Sequence, residues 1–176
     1  MSKAYIGIGT NVGNKLDNIK LALQHIDHIQ TTELTGVSSI FETEPLYYYE
    51  QDYFYNAVAE IKTELDPVVL LQKLKEIEKQ MGRDFKVEKN GPRLIDLDIE
   101  FFEDIVVETN NLEIPHSRIY ERMFVLKPMY ELNKNFKCSK TGKTIELLLQ
   151  ECKDDSKIEK IANLDISSLK KNKREY

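Results

Sequence analysis

The sequence predicts one α+β domain of the split β-α-β, or ferredoxin-like, kind: an antiparallel sheet, helices packed on it, and a small C-terminal helical extension. Two observations predict it. Two stretches with apolar residues three and four apart are interleaved with stretches that alternate or run apolar, in the order β-α-β-β-α-β through residue 102. The 176 residues contain no internal repeat, domain linker or low-complexity segment, and the length suits one sizeable core.

Tyr5 to Ile8 reads as the first strand, closed by Gly9-Thr10-Asn11-Val12-Gly13-Asn14. A helix follows from about Lys15 to His28, with Leu16, Ile19, Leu23 and Ile26 on one face and Asn14 placed to cap it. Val37 to Glu42 and Tyr55 to Thr63 are strands, the second alternating Ala57, Ala59 and Ile61 against Asn56, Val58 and Glu60. Between them, Thr43 to Asp52 is longer than a hairpin needs. Asp66-Pro67 starts a second helix, with a capping acid and proline at the first position; Leu70, Leu74, Ile77 and Met81 form its buried stripe and Gly82 ends it. A polar segment, Arg83 to Pro92, leads into a strand from about Ile95 to Phe102, with which Ile105 to Val107 is expected to pair. His116 to Cys152 reads as short helices and a turn around Cys138 to Gly142. The domain is expected to span 1–152, with 153–176 a tail of unassigned role.

The strand after Arg93 carries the chemistry. Alternation puts Leu97, Ile99 and Phe101 on one face and gathers Asp96, Asp98 and Glu100 on the other. Like charges at close range repel, and a hard cation is the usual remedy; the wet face of an edge strand is the plainer alternative. The arginines favour the cation. Only Arg83, Arg93, Arg118, Arg122 and Arg174 occur among 25 basic residues, and the first four surround the aspartates. A guanidinium fork suits phosphate oxygens, so the cluster reads as a metal–polyphosphate site.

Composition narrows the partners. A net charge of −5 and a pI near 5.4 argue against a general nucleic-acid binder. No apolar run is long enough for a membrane helix, the N-terminal residues show no signal-peptide pattern, and Cys138 and Cys152 lack metal or disulfide spacing. A cytoplasmic, monomeric protein is expected, with the basic run from Lys170 to Arg174 a solvated end. Gly7-x-Gly9-x-x-x-Gly13 departs from a dinucleotide loop, so a tight strand-to-helix turn is the reading for these glycines. Asn56 is either a turn residue or, with Phe54, a reader of a heterocycle. His116, Arg118, Arg122 and Phe124 cluster closely enough to make His116 and Arg122 candidate phosphate ligands.

Tyr-Ile-Gly-Ile-Gly-Thr-Asn, Glu-Thr-Glu-Pro-Leu, Phe-Tyr-Asn-Ala-Val, Glu78 with Gly82-Arg83, Gly-Pro-Arg-x-x-Asp-Leu-Asp-Ile and Ile-Pro-His…Glu-Arg-x-Phe-Val-Leu-x-Pro occur in one order. Together, over roughly residues 4 to 132, they resemble 6-hydroxymethyl-7,8-dihydropterin pyrophosphokinase of folate biosynthesis, in its stand-alone length. The resemblance implies an ATP-dependent diphosphokinase that transfers pyrophosphate from ATP to the pterin and releases AMP. It implies two Mg2+ held by Asp96 and Asp98; Arg83, Arg93, His116 and Arg122 on the phosphates; and Glu78 and Ile99 near the nucleoside. Phe54 and Phe124 then sandwich the pterin, with Thr43, Asn56 and the Leu46 backbone at its polar edge. Phe85, Asn90, Glu44 and Ser117 depart from the better-known bacterial pattern and bear on lid closure and nucleotide affinity. Segments 44–52 and 83–92 read as lids. A non-enzymatic ligand-binding domain and a different magnesium-dependent phosphotransferase are the rivals.

Overall fold

The computed structural model describes residues 1–46, 48–83 and 91–170. Phe85, Asn90, most of the proposed 83–92 lid, Tyr47 and the basic run beyond Lys170 lie outside them.

Each helix starts where local chemistry dictates. Asn14 accepts from the Asp17 amide to open α1 (Lys15–Asp27), whose Ile19, Leu23 and Ile26 are buried. Asp66 accepts from the Val68 and Val69 amides to open α2 (Pro67–Gln80), with Pro67 at the first position. A cap of this kind is worth about 0.5–2 kcal/mol, which exceeds most single propensity differences within a helix. Gly82, at φ +91°, lets the chain leave α2 through the left-handed region.

Strands β1 (Ser2–Thr10), β2 (Thr32–Val37), β3 (Ile40–Thr43), β4 (Phe54–Thr63) and β5 (Asp96–Phe102) form an antiparallel sheet. Its order is β5-β1-β4, with β2 and β3 both on the far side of β4. Where one strand was expected over 37–42, the chain pairs twice with β4 and is interrupted at Ser38 and Ser39. The Ser38 hydroxyl accepts from the Val58 amide there, and its own amide donates to the Val58 carbonyl. Counting β2 and β3 as one broken strand gives the ferredoxin-like order.

Two cores flank the sheet. Ile6, Ile8, Ala57, Ala59, Ile61, Leu97 and Ile99 face α1 and α2 in the larger one. Tyr5, Val58 and Phe101 face α3 (Met123–Asn133) and α4 (Ile145–Glu151) in the smaller one. Phe101 is a correction to strict alternation. The β1–β5 register shifts between Tyr5 and Ile6, so Ile99 opposes Ile6 while Phe101 opposes Tyr5. The extra residue is Glu100, a β-bulge that turns Phe101 to the face of the carboxylates and sends Phe102 to the larger core.

A second correction concerns the strand expected over 105–107. Val107 pairs with Ile114 in a separate hairpin, β6 (Val107–Glu108) with β7 (Glu113–Ile114), and the Ile105 amide closes a turn onto Phe102. The chain after Cys152 also has a place in the fold: β8 (Ile158–Ala162) pairs antiparallel with β3, and α5 (Ile166–Lys170) buries Leu169 in the larger core.

Candidate active site

One cavity opens on the sheet face that carries the smaller core, between β1, β4, β5 and the start of α3. Its charged end holds Asp96, Asp98, Glu100, Arg93 and Arg122; Thr43, Glu44, Leu46, Phe54, Asn56 and Phe124 line the rest. The sequence reading brings these together with two exceptions, Glu44 and Glu100, to which it gives no site role.

The floor exists because β1 has glycine where its neighbours carry long side chains. Gly7 opposes Asp98 and Gly9 opposes Asp96. A Cβ at Gly7 would run into the Glu100 carboxylate, and one at Gly9 would sit 3.0 Å from Asn56 Oδ1. The strand-to-helix turn therefore does not explain these two glycines. Only Gly13, at φ +70°, serves that turn.

Asp96 is surrounded by cations. Arg83 Nη1 lies 2.5 Å from its Oδ1 and Arg93 Nη1 2.6 Å from its Oδ2. Burial pushes its carboxyl up, but Arg93 and then Arg83 hold it below the ordinary carboxylate range. Asp98, two residues on, has Lys75 Nζ at 3.8 Å. Burial and then the Asp96 charge push Asp98 up. Glu100 is fully buried, with Oε2 unpartnered, and burial raises its carboxyl to about 8.

Arg93 is fixed from behind. Its amide donates to Asn11 Oδ1 at 2.8 Å and its carbonyl accepts from the Asn11 amide at 3.1 Å, while Asn11 Nδ2 reaches Gln51 Oε1 at 2.9 Å and the Asp52 carbonyl at 3.0 Å. Asn11 was visible only as part of a turn; its partners lie forty and more residues away. The Arg93 guanidinium also lies over the Phe54 ring, 5.4 Å from its centroid, and that of Arg122 over Phe124 at 5.5 Å.

Glu78 and Ile99 lie outside the cavity. Ile99 is buried on the opposite face, as alternation requires. Glu78 has no exposed surface; its Oε1 accepts from the Leu97 amide at 2.7 Å, Lys75 Nζ at 2.8 Å and Arg83 Nη1 at 2.8 Å. In this structure it ties α2 to β5 and holds Arg83 against Asp96. Sequence spacing gave no sign of that burial.

Behind Arg122 and not among the cavity-lining residues, His116 Nδ1 accepts from the Arg118 amide at 3.1 Å, so the neutral ring carries its proton on Nε2. Arg122 Nη1 stands 3.4 Å from that Nε2, and Arg122 Nε is buried without a partner. Burial and then Arg122 push the imidazole down to about 4, so it is neutral near pH 7. Adjacent N–H donors with no acceptor between them are what an anionic ligand satisfies.

At the aromatic end one amide is already paired. Asn56 Nδ2 donates to Thr43 Oγ1 at 2.7 Å, leaving its carbonyl oxygen next to Gly9. Phe54 and Phe124 both line the same space.

The donor set also fits a hard cation. Asp98 is paired only loosely, with Lys75 Nζ at 3.8 Å, and Glu100 keeps a buried, unpartnered oxygen; oxygen donors suit magnesium. Among the described residues no group of three or more His, Cys, Asp or Glu forms a self-contained metal site. Oxygens from a ligand such as a polyphosphate would complete the coordination.

Fold and site together define an α+β enzyme domain with a carboxylate–arginine cavity. The family model described as 7,8-dihydro-6-hydroxymethylpterin-pyrophosphokinase matches residues 5–134, and the chain belongs to that family. It is 42% identical over 129 residues to the 2-amino-4-hydroxy-6-hydroxymethyldihydropteridine pyrophosphokinase of Bacillus subtilis, covering 73% of this chain and 77% of that protein. The folic acid synthesis protein fol1 of Schizosaccharomyces pombe is 43% identical over 130 residues, 74% of this chain and 18% of that protein. The chain thus spans about a fifth of the longer relatives it matches; for the Dictyostelium discoideum protein FOL1 the share is 20%. Among solved structures, Plasmodium falciparum HPPK-DHPS with pteroate shares the fold at a TM-score of 0.69 and 19% identity, over 85% of this chain and 42% of that one.

Proposed function

We propose that the chain transfers the β,γ-pyrophosphoryl group of ATP to the hydroxymethyl oxygen of 6-hydroxymethyl-7,8-dihydropterin, giving the pterin diphosphate and AMP in folate synthesis. The observation that supports this most is the division of one cavity into a carboxylate–arginine end and an aromatic–amide end. Phosphate chemistry and heterocycle recognition are then adjacent.

Phe54 and Phe124 stack on the pterin faces, and Thr43, Asn56 and the Leu46 backbone satisfy its polar edge. This fixes the hydroxymethyl group toward Asp96 and Asp98, a positioning effect that replaces a bimolecular encounter. Asp96 and Asp98 would hold the two magnesium ions, which when bound neutralise phosphate charge and make the attacking hydroxyl more acidic. Arg93, Arg83, Arg122 and His116 donate to phosphate oxygens, so that charge developing on the transferred group meets oriented N–H donors. Arg83 must leave Asp96 for the phosphates, and Glu78 holds it near the site before it does. The enzyme is proposed to act as a cytoplasmic monomer on these two small molecules. No helix among the described residues is long and apolar enough to cross a membrane.

The products test this reading. With ATP, Mg2+ and the pterin, chromatography is expected to show AMP and pterin diphosphate in equal amounts. Formation of ADP with a pterin monophosphate, or no ATP consumption, would contradict it.

A further inference from the structure

We propose that residues 152–162, which lie beyond the span matched by the family, are a strap that positions both walls of the pterin end. The inference rests on the function proposed above and adds a set of positioning residues to it, with Asp154 the central one.

The strap grips one wall at β3. Thr43 pairs with Ile158 and Glu42 with Glu159. The pairing continues one residue further: the Glu44 amide donates to the Lys157 carbonyl at 3.2 Å, and the Lys157 amide donates to Glu44 Oε2 at 3.1 Å. Glu44 Oε1 takes the Tyr53 hydroxyl at 3.2 Å, so one carboxylate joins the strap to both ends of the loop between β3 and β4. A proline at position 44 would have neither the N–H nor the carboxylate, which gives a physical reason for glutamate here.

The same strap grips the opposite wall at α3. This helix follows Arg122, which provides no side-chain cap. The exposed N–H of Met123 is instead satisfied from 31 residues away, by Asp154 Oδ2 at 3.0 Å. Asp154 Oδ1 accepts from the Ser156 amide at 2.9 Å, which shapes the turn that leads to Lys157. A carboxylate suits a helix N-terminus, where unpaired N–H groups and the positive end of the dipole coincide. Met123 lies between Arg122 and Phe124, both of which line the cavity. An ion pair between Lys160 and Glu131 ties β8 to α3 a second time, and Glu131 Oε2 also accepts from the Ser39 amide at 2.8 Å. Through Asp154, Lys157 and Lys160 one segment sets the spacing between Thr43 on one side and Phe124 on the other.

Calorimetry on the full chain separates this role from simple support of the fold. Affinity for the pterin is measured in the presence of Mg2+ and a non-hydrolysable ATP analogue, and affinity for the analogue alone beside it. Asp154→Ala is expected to weaken pterin binding about tenfold and the analogue less than about twofold, since a tenfold change is the scale of one lost cap. Asp154→Asn, which keeps an acceptor oxygen, is expected to restore pterin binding. Lys157→Pro, which removes the N–H given to Glu44 without touching α3, is expected to shift pterin affinity in the same direction. If Asp154→Ala and Lys157→Pro leave the ratio of the two affinities unchanged, the strap only supports the fold and the inference is wrong. Failure of the unmodified chain to bind the pterin would instead contradict the proposed function.

Discussion

The two ends of the cavity are built on opposite plans. At the aromatic end the Asn56 amide nitrogen donates to the Thr43 hydroxyl, and the rings are braced by arginines. At the charged end, Glu100 Oε2 and Arg122 Nε are buried without one, and Asp98 lies beside Asp96 with Lys75 its nearest cation. The first end is preorganised for a neutral ligand. The second is held in an unfavourable charge arrangement that a metal–polyphosphate complex would relieve. Unpartnered buried groups inside the cavity fall at its charged end.

The largest effect expected from this contrast falls on the aspartates. Asp96→Ala or Asp98→Ala is expected to lower turnover by about three orders of magnitude or more, the scale of losing a principal electrostatic contributor. Stability of the ligand-free chain then divides the two. Asp98 is pushed up, so its ionised form opposes folding, and Asp98→Asn is expected to raise the melting temperature at pH 7. Asp96 is held down by two arginines, so Asp96→Asn is expected to lower it. Calorimetric melting curves check both signs. Shifts of the same sign would mean that the strand face is uniformly stabilised.

A smaller effect is expected at the other end. Phe54→Ala and Phe124→Ala are expected to weaken pterin binding about ten- to a hundredfold, by loss of ring burial and stacking, with ATP-analogue affinity within about threefold. Phe54→Tyr is expected to be mild. Equal losses for both ligands would show that these rings support the fold rather than one end of the site.

The smallest is a pH effect at His116. His116 titrates near 4 in the folded chain against an ordinary value of 6.5, so on acidification the unfolded chain takes up the proton first. Its contribution is complete above pH 6.5 and is lost as pH falls toward 4, with a slope of at most about 1.4 kcal/mol per pH unit. Denaturant unfolding from pH 7.5 to 4.5 is expected to be less pH-dependent in His116→Asn. An unchanged slope would place the ring in water.

What could be read in the sequence follows the same divide between local and distant causes. Asn14 and Asp66 announced their helices because a cap acts within three residues. The alternation of Ala57, Val58 and Ala59 gave the faces of β4 because period-two geometry is a backbone property. The charged end was legible through Asp96, Asp98 and Arg93, which are neighbours in the chain. Phe101 was placed on the wrong face because the bulge at Glu100 comes from pairing with β1, about ninety-five residues earlier. The sequence presents Gly7 and Gly9 as turn residues because their reason, room beside Glu100 and Asn56, is supplied by other strands. Glu78, which the resemblance puts near the nucleoside, is buried because β5 and Arg83 close over it, and both lie beyond its own helix. The segment after Cys152 is short and polar, and becomes a strand through the free edge of β3.

Asp96 and Asp98 are proposed to serve a nucleotide-bound pair of divalent cations. Manganese(II) titration of the chain, followed by electron paramagnetic resonance with a non-hydrolysable ATP analogue and the pterin present, counts those ions directly. Two per chain are expected for the unmodified protein and fewer in Asp98→Ala; a single ion, or a count that Asp98→Ala leaves unchanged, would contradict the two-cation assignment.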